Sequence, residues 1–200
     1  MAAGADITRD PRWVKLHGAG VDCPCGQHHV GLLTLTMLTP AGWPGEMEYE
    51  TDEALRMEGD FLSPLFCVRE GKYFALRMSL PVRVKGATGP ASMFYVWASL
   101  DRPDFEGYVA TKNAGKLDDK SRAQARLVNR IAGLPDTFGL MGMAIQQTDG
   151  PPLLLVLHDP DSKGTAHPLI ADQRQGIDFD KLLEIYAANG HDFRPNLRSN

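Results

Sequence analysis

Hydrophobic and polar side chains alternate most regularly in two runs near the middle of the chain. Over residues 73–85, Phe74, Leu76, Met78, Leu80, Val82 and Val84 share one parity, while Ala75, Arg77, Ser79, Pro81, Arg83 and Lys85 share the other. Successive side chains of a strand point to opposite faces, so this pattern predicts a half-buried strand with one apolar and one basic, solvated face. Over residues 91–100, Phe94, Val96, Ala98 and Leu100 alternate with Met93, Tyr95 and Trp97. Neither of those faces suits water, which predicts a central strand covered on both sides. Gly86-Ala87-Thr88-Gly89-Pro90 between the runs carries turn residues, so the two are expected to form a long antiparallel hairpin. Pro81 has no N–H for a ladder and is expected at a bulge or an unpaired edge position.

The flanking segments are shorter. Residues 31–38 and 65–68 suit strands, and residues 51–59 suit a short helix capped by Thr51 or Asp52. Asp101 and Pro103 mark a helix start, with Phe105, Tyr108 and Val109 on its apolar side. Residues 121–132 place Ala125, Leu127, Val128, Ile131 and Ala132 among arginines and predict an amphipathic helix, stopped by Gly133-Leu134-Pro135-Asp136. Two more strands are expected over 140–147 and 153–158, and a helical turn over 168–176. In the last helix Phe179, Leu182, Leu183 and Tyr186 recur at i, i+3, i+4 and i+7, between a cap at Asp178 and a stop at Asn189-Gly190. Strands clustered in the middle, with helices between and after them, predict the α+β class: a mainly antiparallel sheet of about five or six strands with helices packed on it. Residues 1–20 read as a loosely ordered lead-in with Trp13, Val14 and Leu16 as anchors, 21–190 as a single domain, and 191–200 as a tail.

Composition narrows the function classes. Hydrophobic residues at 43% and charged residues at 23% of 200 suffice for one well-buried core. A net charge of -4 supplies no concentrated basic surface, which argues against nucleic acid as a partner. No stretch approaches the roughly twenty apolar residues of a membrane span, and residues 1–13 lack an apolar leader, so no membrane partner and a cytoplasmic location are expected. Three cysteines do not make a disulfide framework and suit a reducing compartment.

Candidate chemistry is sparse. Cys23, Cys25, His28 and His29 offer soft and borderline ligands within seven residues, and zinc takes four such ligands in a tetrahedron. The single-proline spacer between the cysteines strains a two-thiolate knuckle, and His17 or Cys67 would be needed to complete the set. His158, Asp159, Asp161 and His167 invite a hydrolase reading, but aspartates beside Pro160, Ser162 and Gly164 are ordinary loop residues, and His167-Pro168 reads as a structural corner. Arg77 and Arg83 would line the outer face of the first long strand, and Tyr95 and Trp97 the aromatic face of the second. No serine elbow and no complete phosphate loop is present. The foremost expectation is a non-catalytic domain that binds another protein, of interaction or immunity type, through Arg77, Arg83, Tyr95, Trp97, His158 and His167, without a cofactor. The alternative is a zinc-binding protein or metal-dependent enzyme built on the knuckle; the third reading is a small-molecule site on the aromatic sheet face.

Several separated segments together resemble one bacterial family. They are Cys23-Pro24-Cys25-Gly26 with His28 or His29, Leu80-Pro81-Val82, Val96-Trp97-Ala98-Ser99-Leu100, Leu134-Pro135-Asp136-Thr137, and His167 to Gln173 with Gly176-Ile177. In that order, over residues 21–189, they are similar to the family known as domain of unknown function 2199. The resemblance implies kinship without an activity. The family pattern at the knuckle is Cys-x-x-Cys-Gly, one residue longer than the Cys23-Pro24-Cys25 found here.

Overall fold

The computed structural model describes residues 6–89, 91–160 and 166–198. A 3-10 turn at Ile7–Arg9 leads into α1 (Pro11–His17), β1 (Val21–Asp22), β2 (His28–His29) and β3 (Thr34–Thr36). After a second 3-10 turn at Asp52–Ala54 come β4 (Phe61–Leu62), β5 (Phe66–Arg69), β6 (Tyr73–Val82) and β7 (Ser92–Leu100). The chain continues through α2 (Arg102–Asn113), β8 (Arg122–Leu127), β9 (Met141–Ile145), β10 (Leu153–His158), α3 (Pro168–Gln175), α4 (Phe179–Ala188) and α5 (Arg194–Leu197). Among the described residues no helix is long and apolar enough to cross a membrane.

The expected hairpin is present: β6 and β7 pair antiparallel from Phe74–Leu100 to Val82–Ser92. Pro81 lies within that ladder opposite Met93, near its end. The chain is α+β with a mainly antiparallel sheet, as expected, but that sheet has eight strands rather than five or six, and part of it closes on itself. β7, β8, β9 and β10 follow one another antiparallel, and β10 then returns to β6 in parallel at Leu153–Ser79, where the Ser79 amide donates to the Pro152 carbonyl at 2.7 Å. Five strands thus close a mixed barrel. The length of β6 makes this possible: its first half takes β5 as neighbour and its second half takes β10. β4 extends the sheet beyond β5, and β3 lies parallel beside the first half of β7. Closing a sheet removes exposed strand edges.

One parity of each barrel strand, β6 to β10, faces the interior. Leu76, Met78 and Leu80 meet Phe94, Val96 and Ala98, then Ala125 and Leu127, Ala144, and Leu154 and Val156, all buried. Large side chains on β6 and β7 face small ones on β8 and β9, as interdigitation in a narrow barrel requires. The opposite face of the hairpin is covered as well: Leu62, Cys67, Ala75 and Trp97 form a second buried cluster, with Met37, Trp43, Tyr49 and Val128 packed on it. The other parity of β6, expected to be solvated, is therefore partly roofed by residues 37–49. Phe105 and Tyr108 of α2 pack on Phe66, and Phe105 also on Phe74. On α4, Phe179, Leu182, Leu183, Ile185 and Tyr186 are buried, and the Tyr186 hydroxyl is bonded to the Leu33 backbone and Ser92, burial pushing its pKa up to about 12.

Other expectations need correction. The helix expected over 121–132 is β8 instead: Arg122, Gln124 and Arg126 are exposed, while Ala125 and Leu127 are buried between them. Alanines favour a helix in isolation, but the ladders to β7 and β9 decide the outcome. The helix over 51–59 shrinks to one 3-10 turn, because the Asp52 carboxylate accepts from the Ser63 hydroxyl at 2.6 Å rather than capping. Asp178 precedes α4 without capping it, its carboxylate receiving Lys85 at 3.1 Å. The expected lead-in is helical at Ile7–Arg9 and Pro11–His17, where Trp13 and Leu16 are buried, as expected of anchors, and Val14 is exposed. Pro90 of the hairpin turn, Asp161, Ser162 and Gly164 of the polar loop, and the outermost parts of lead-in and tail lie outside the described residues.

Two predictions follow from this packing. A Cβ on Gly142 would sit 2.4 Å from the Leu155 carbonyl oxygen on β10. Gly142→Ala should therefore cost roughly 1–3 kcal/mol, read as a fall in Tm of about 5 °C by calorimetry. At the start of α1, the Asp10 carboxylate accepts from the Arg12 amide at 2.8 Å and pairs with its guanidinium at 2.7 Å, which holds its pKa below the ordinary carboxylate range. Asp10→Ala should lose about 1 kcal/mol at neutral pH. A depressed folded pKa stabilises above the unfolded value, so the gap between wild type and variant should close as pH falls below about 4 in denaturant titrations.

Candidate metal centre

The knuckle is a small hairpin of its own. β1 and β2 pair as Val21–His29 and Asp22–His28, and the turn between them is closed by the Cys23 amide on the Gln27 carbonyl and the Gly26 amide on the Cys23 carbonyl, both at 2.9 Å. Gly20 (φ 75°) lets the hairpin lie against its own lead-in: a Cβ there would meet the His28 imidazole at 2.5 Å and the His29 carbonyl at 2.6 Å. Because consecutive strand residues point to opposite faces, His28 and His29 cannot serve one site together. His29 turns toward the thiols, its Nε2 3.2 Å from Cys25 Sγ. His28 turns away and lies between the Asp22 carboxylate at 2.8 Å and the Ala19 carbonyl at 2.9 Å, contacts that raise its pKa.

The fourth donor comes from the far end of the chain. α4 stops at Asn189 and Gly190 (φ 87°), and the next residue, His191, anchors its amide on the Tyr186 carbonyl at 2.9 Å. This places His191 Nδ1 3.6 Å from Cys23 Sγ and sets its ring edge-on to His29 at 5.6 Å. The donor atoms of Cys23, Cys25, His29 and His191 all lie within 4.8 Å of one another. With Zn–S near 2.3 Å and Zn–N near 2.0 Å, a zinc tetrahedron has sulfur–nitrogen edges of roughly 3.5 Å, close to the 3.2 and 3.6 Å of the two donor pairs above. Burial raises the pKa of the Cys23 thiol, against a lowering backbone hydrogen bond from Cys25, and lowers that of the His29 imidazole, with His191 and His28 adding to the latter. A neutral imidazole is the form that ligates a metal. The surrounding frame is tight: Phe193 is fully buried against Tyr186 and near His29, and Asn196 Nδ2 donates to the Asp22 carbonyl at 2.8 Å.

The sequence profile of DUF2199, described as an uncharacterized protein conserved in bacteria, matches residues 22–177. The chain belongs to the DUF2199 family. No curated protein and no solved structure matches it. Of the four converging donors in this DUF2199 chain, Cys23, Cys25 and His29 lie inside the matched span and His191 lies beyond it.

Neither residue expected to complete the set does so. His17 stacks on Trp13 at 4.0 Å and bonds the Trp13 carbonyl, and Cys67 lies buried on β5, its thiol pushed up to about 12 by burial. The one signal for His191 in the sequence is its place directly after the Asn189-Gly190 helix stop. Of the expected binding residues, Arg77 meets Trp97 and shares a pocket with Tyr95. Arg77 is held between the Tyr49 and Trp97 rings, at 5.3 and 4.9 Å, and donates to the Leu38 carbonyl at 3.0 Å and the Tyr49 hydroxyl. It is thus part of the roof rather than a solvated edge, whereas Arg83 is exposed. Trp97 is fully buried, its indole donating to the Met37 carbonyl at 3.0 Å, and Tyr95 is half-buried. His158 is exposed at the end of β10, while His167 is buried at the start of α3, where Nδ1 accepts from the Leu169 amide at 3.2 Å.

The burial of the thiols sets their reactivity. In chelator-treated native protein, Ellman's reagent should modify the exposed Cys25 well before Cys67, which is buried and hard to ionise. Peptide mass mapping after timed quenching would check the order.

Proposed function

We propose that the chain is a zinc-binding protein in which Cys23, Cys25, His29 and His191 hold one Zn2+ in a closed, structural site. One observation carries this reading: two thiols and two imidazoles from opposite ends of the chain have their donor atoms within 4.8 Å of one another. A tetrahedral set of two sulfur and two nitrogen ligands is the preference of zinc among common metals. Four protein ligands leave no open position for water or substrate, so the metal clasps the knuckle to the segment after α4 and does not perform chemistry. The domain around it acts by binding. Thiolate ligands persist where thiols stay reduced, which supports a cytoplasmic setting for the protein.

Elemental analysis of untagged protein should give about one zinc per chain. Cys25→Ser and His191→Ala should lose it, while His28→Ala, outside the donor set, should keep it. Zinc at about a hundredfold excess over Kd contributes about 2.7 kcal/mol to the folded state, so chelation should lower Tm by roughly 5–10 °C in wild type and leave His191→Ala unmoved. Metal far below stoichiometry, or a requirement for His28, would overturn the assignment.

A second reading, binding of another protein, is favoured by the outer face of β9 and β10. There Leu155 and Leu157 are 36% and 45% exposed beside the half-buried Met143, Ile145 and Leu153. Contiguous exposed apolar surface on a sheet marks a contact site. A partner co-purified from the native host should be lost with the double variant Leu155→Glu and Leu157→Glu; retention by that variant would move the contact elsewhere.

A further inference from the structure

The outer face of the sheet is hollowed where β5 to β8 run side by side. A single cross-strand row passes through Cys67, Ala75, Ser99 and Arg126, paired in that order. Three consecutive short side chains lower the floor of the sheet along this row, and a longer one ends it. Pro40 to Trp43 form one wall, and Tyr73 and Phe138 line the cavity too, which encloses about 470 Å³. That volume lies within the range of small-molecule sites, which are mostly apolar with a few convergent polar groups.

The charged groups here are two arginines and one glutamate. Arg69 donates to the Gly42 carbonyl at 3.0 Å and lies 3.8 Å from Glu70, yet its Nε is buried with no partner among the described residues. Arg126 lines the cavity, and its guanidinium makes no hydrogen bond or ion pair among the described residues. Two cations against one anion leave an excess positive charge and several unused planar N–H donors, the complement of a carboxylate. Around them stand Trp43, Tyr73 and Phe138, the last two 62% and 42% exposed. Aromatic surface of this kind is what a flat apolar body would cover.

We propose that this hollow binds a small aromatic monocarboxylate, its carboxylate on Arg126 and Arg69 and its ring over the floor of Ala75 and Ser99. The site is separate from the cysteine-histidine cluster, and its test does not depend on that assignment. 2-Naphthoate would be titrated into the full chain as purified, with no metal added and the neutral 2-naphthamide as comparison, by calorimetry and by amide chemical shifts. The acid should bind at least tenfold tighter than the amide, because a charge-assisted contact separates them, with shifts centred on Gly42, Ala75, Ser99 and Val128. Arg126→Gln, an exposed position, should cost about tenfold in affinity for the acid and nothing for the amide. Ser99→Leu, which fills the floor, should abolish binding of both. Equal affinity of acid and amide, shifts centred elsewhere, no saturable binding at millimolar acid, or an Arg126→Gln variant that binds like wild type would each overturn the proposal.

Discussion

The short parallel contact between β10 and β6 is the constraint from which the rest of the architecture follows. Without the Leu153–Ser79 pair, β6 to β10 would be an open sheet with its interior row of Leu76, Met78, Leu80 and Leu154 exposed along one edge. With it, that row becomes the content of a barrel, and the two ends need lids. Aromatic side chains of α2 pack at one part of β6, where Phe105 meets Phe74, and α4 reaches the start of β7 through Tyr186 and Ser92. The same closure frees the outer faces for other uses. One of them is roofed by Trp43 and Tyr49, and another leaves Leu155 and Leu157 in water.

What the sequence made legible was whatever depends on local periodicity. The parity of Phe74 to Val84, the helical spacing of Phe179 to Tyr186 and the stop at Asn189-Gly190 are properties of neighbouring residues, and the structure keeps them. The barrel is not such a property. Its closing pair joins residues more than seventy positions apart, and nothing in Leu153 or Ser79 advertises the other. The misread segment over 121–132 shows the same limit from the other side. Arg122, Gln124 and Arg126 alternate with Ala123, Ala125 and Leu127 as a strand requires, yet the placement of Ala125, Leu127, Val128, Ile131 and Ala132 among arginines fits an amphipathic helix equally well, and only the flanking strands decide between them.

The candidate metal site divides along the same line. Cys23 and Cys25 stand out in any reading of the chain, and the pair His28-His29 suggests two further ligands. Strand parity allows only one of them inward, and the hairpin of β1 and β2 makes that one His29. The vacancy this creates is met by a residue from a segment that reads as a tail. Buried Phe193 and Leu197 hold that segment down, so His191 is presented by packing rather than by any motif. The arginine face of β6 changed meaning in a similar way: Arg77 became an internal prop between two rings once residues 37–49 folded over it.

Cys23 and His191 are 168 residues apart in the chain. At translation rates of about 5–20 residues per second, the knuckle leaves the ribosome roughly ten to thirty seconds before its last partner is made. During that interval two thiols and one imidazole are present without a complete coordination sphere, beside a barrel whose own closing strand, β10, is also still to come. The four donors can therefore come together only once the segment after α4 has been made, later than every strand of the barrel.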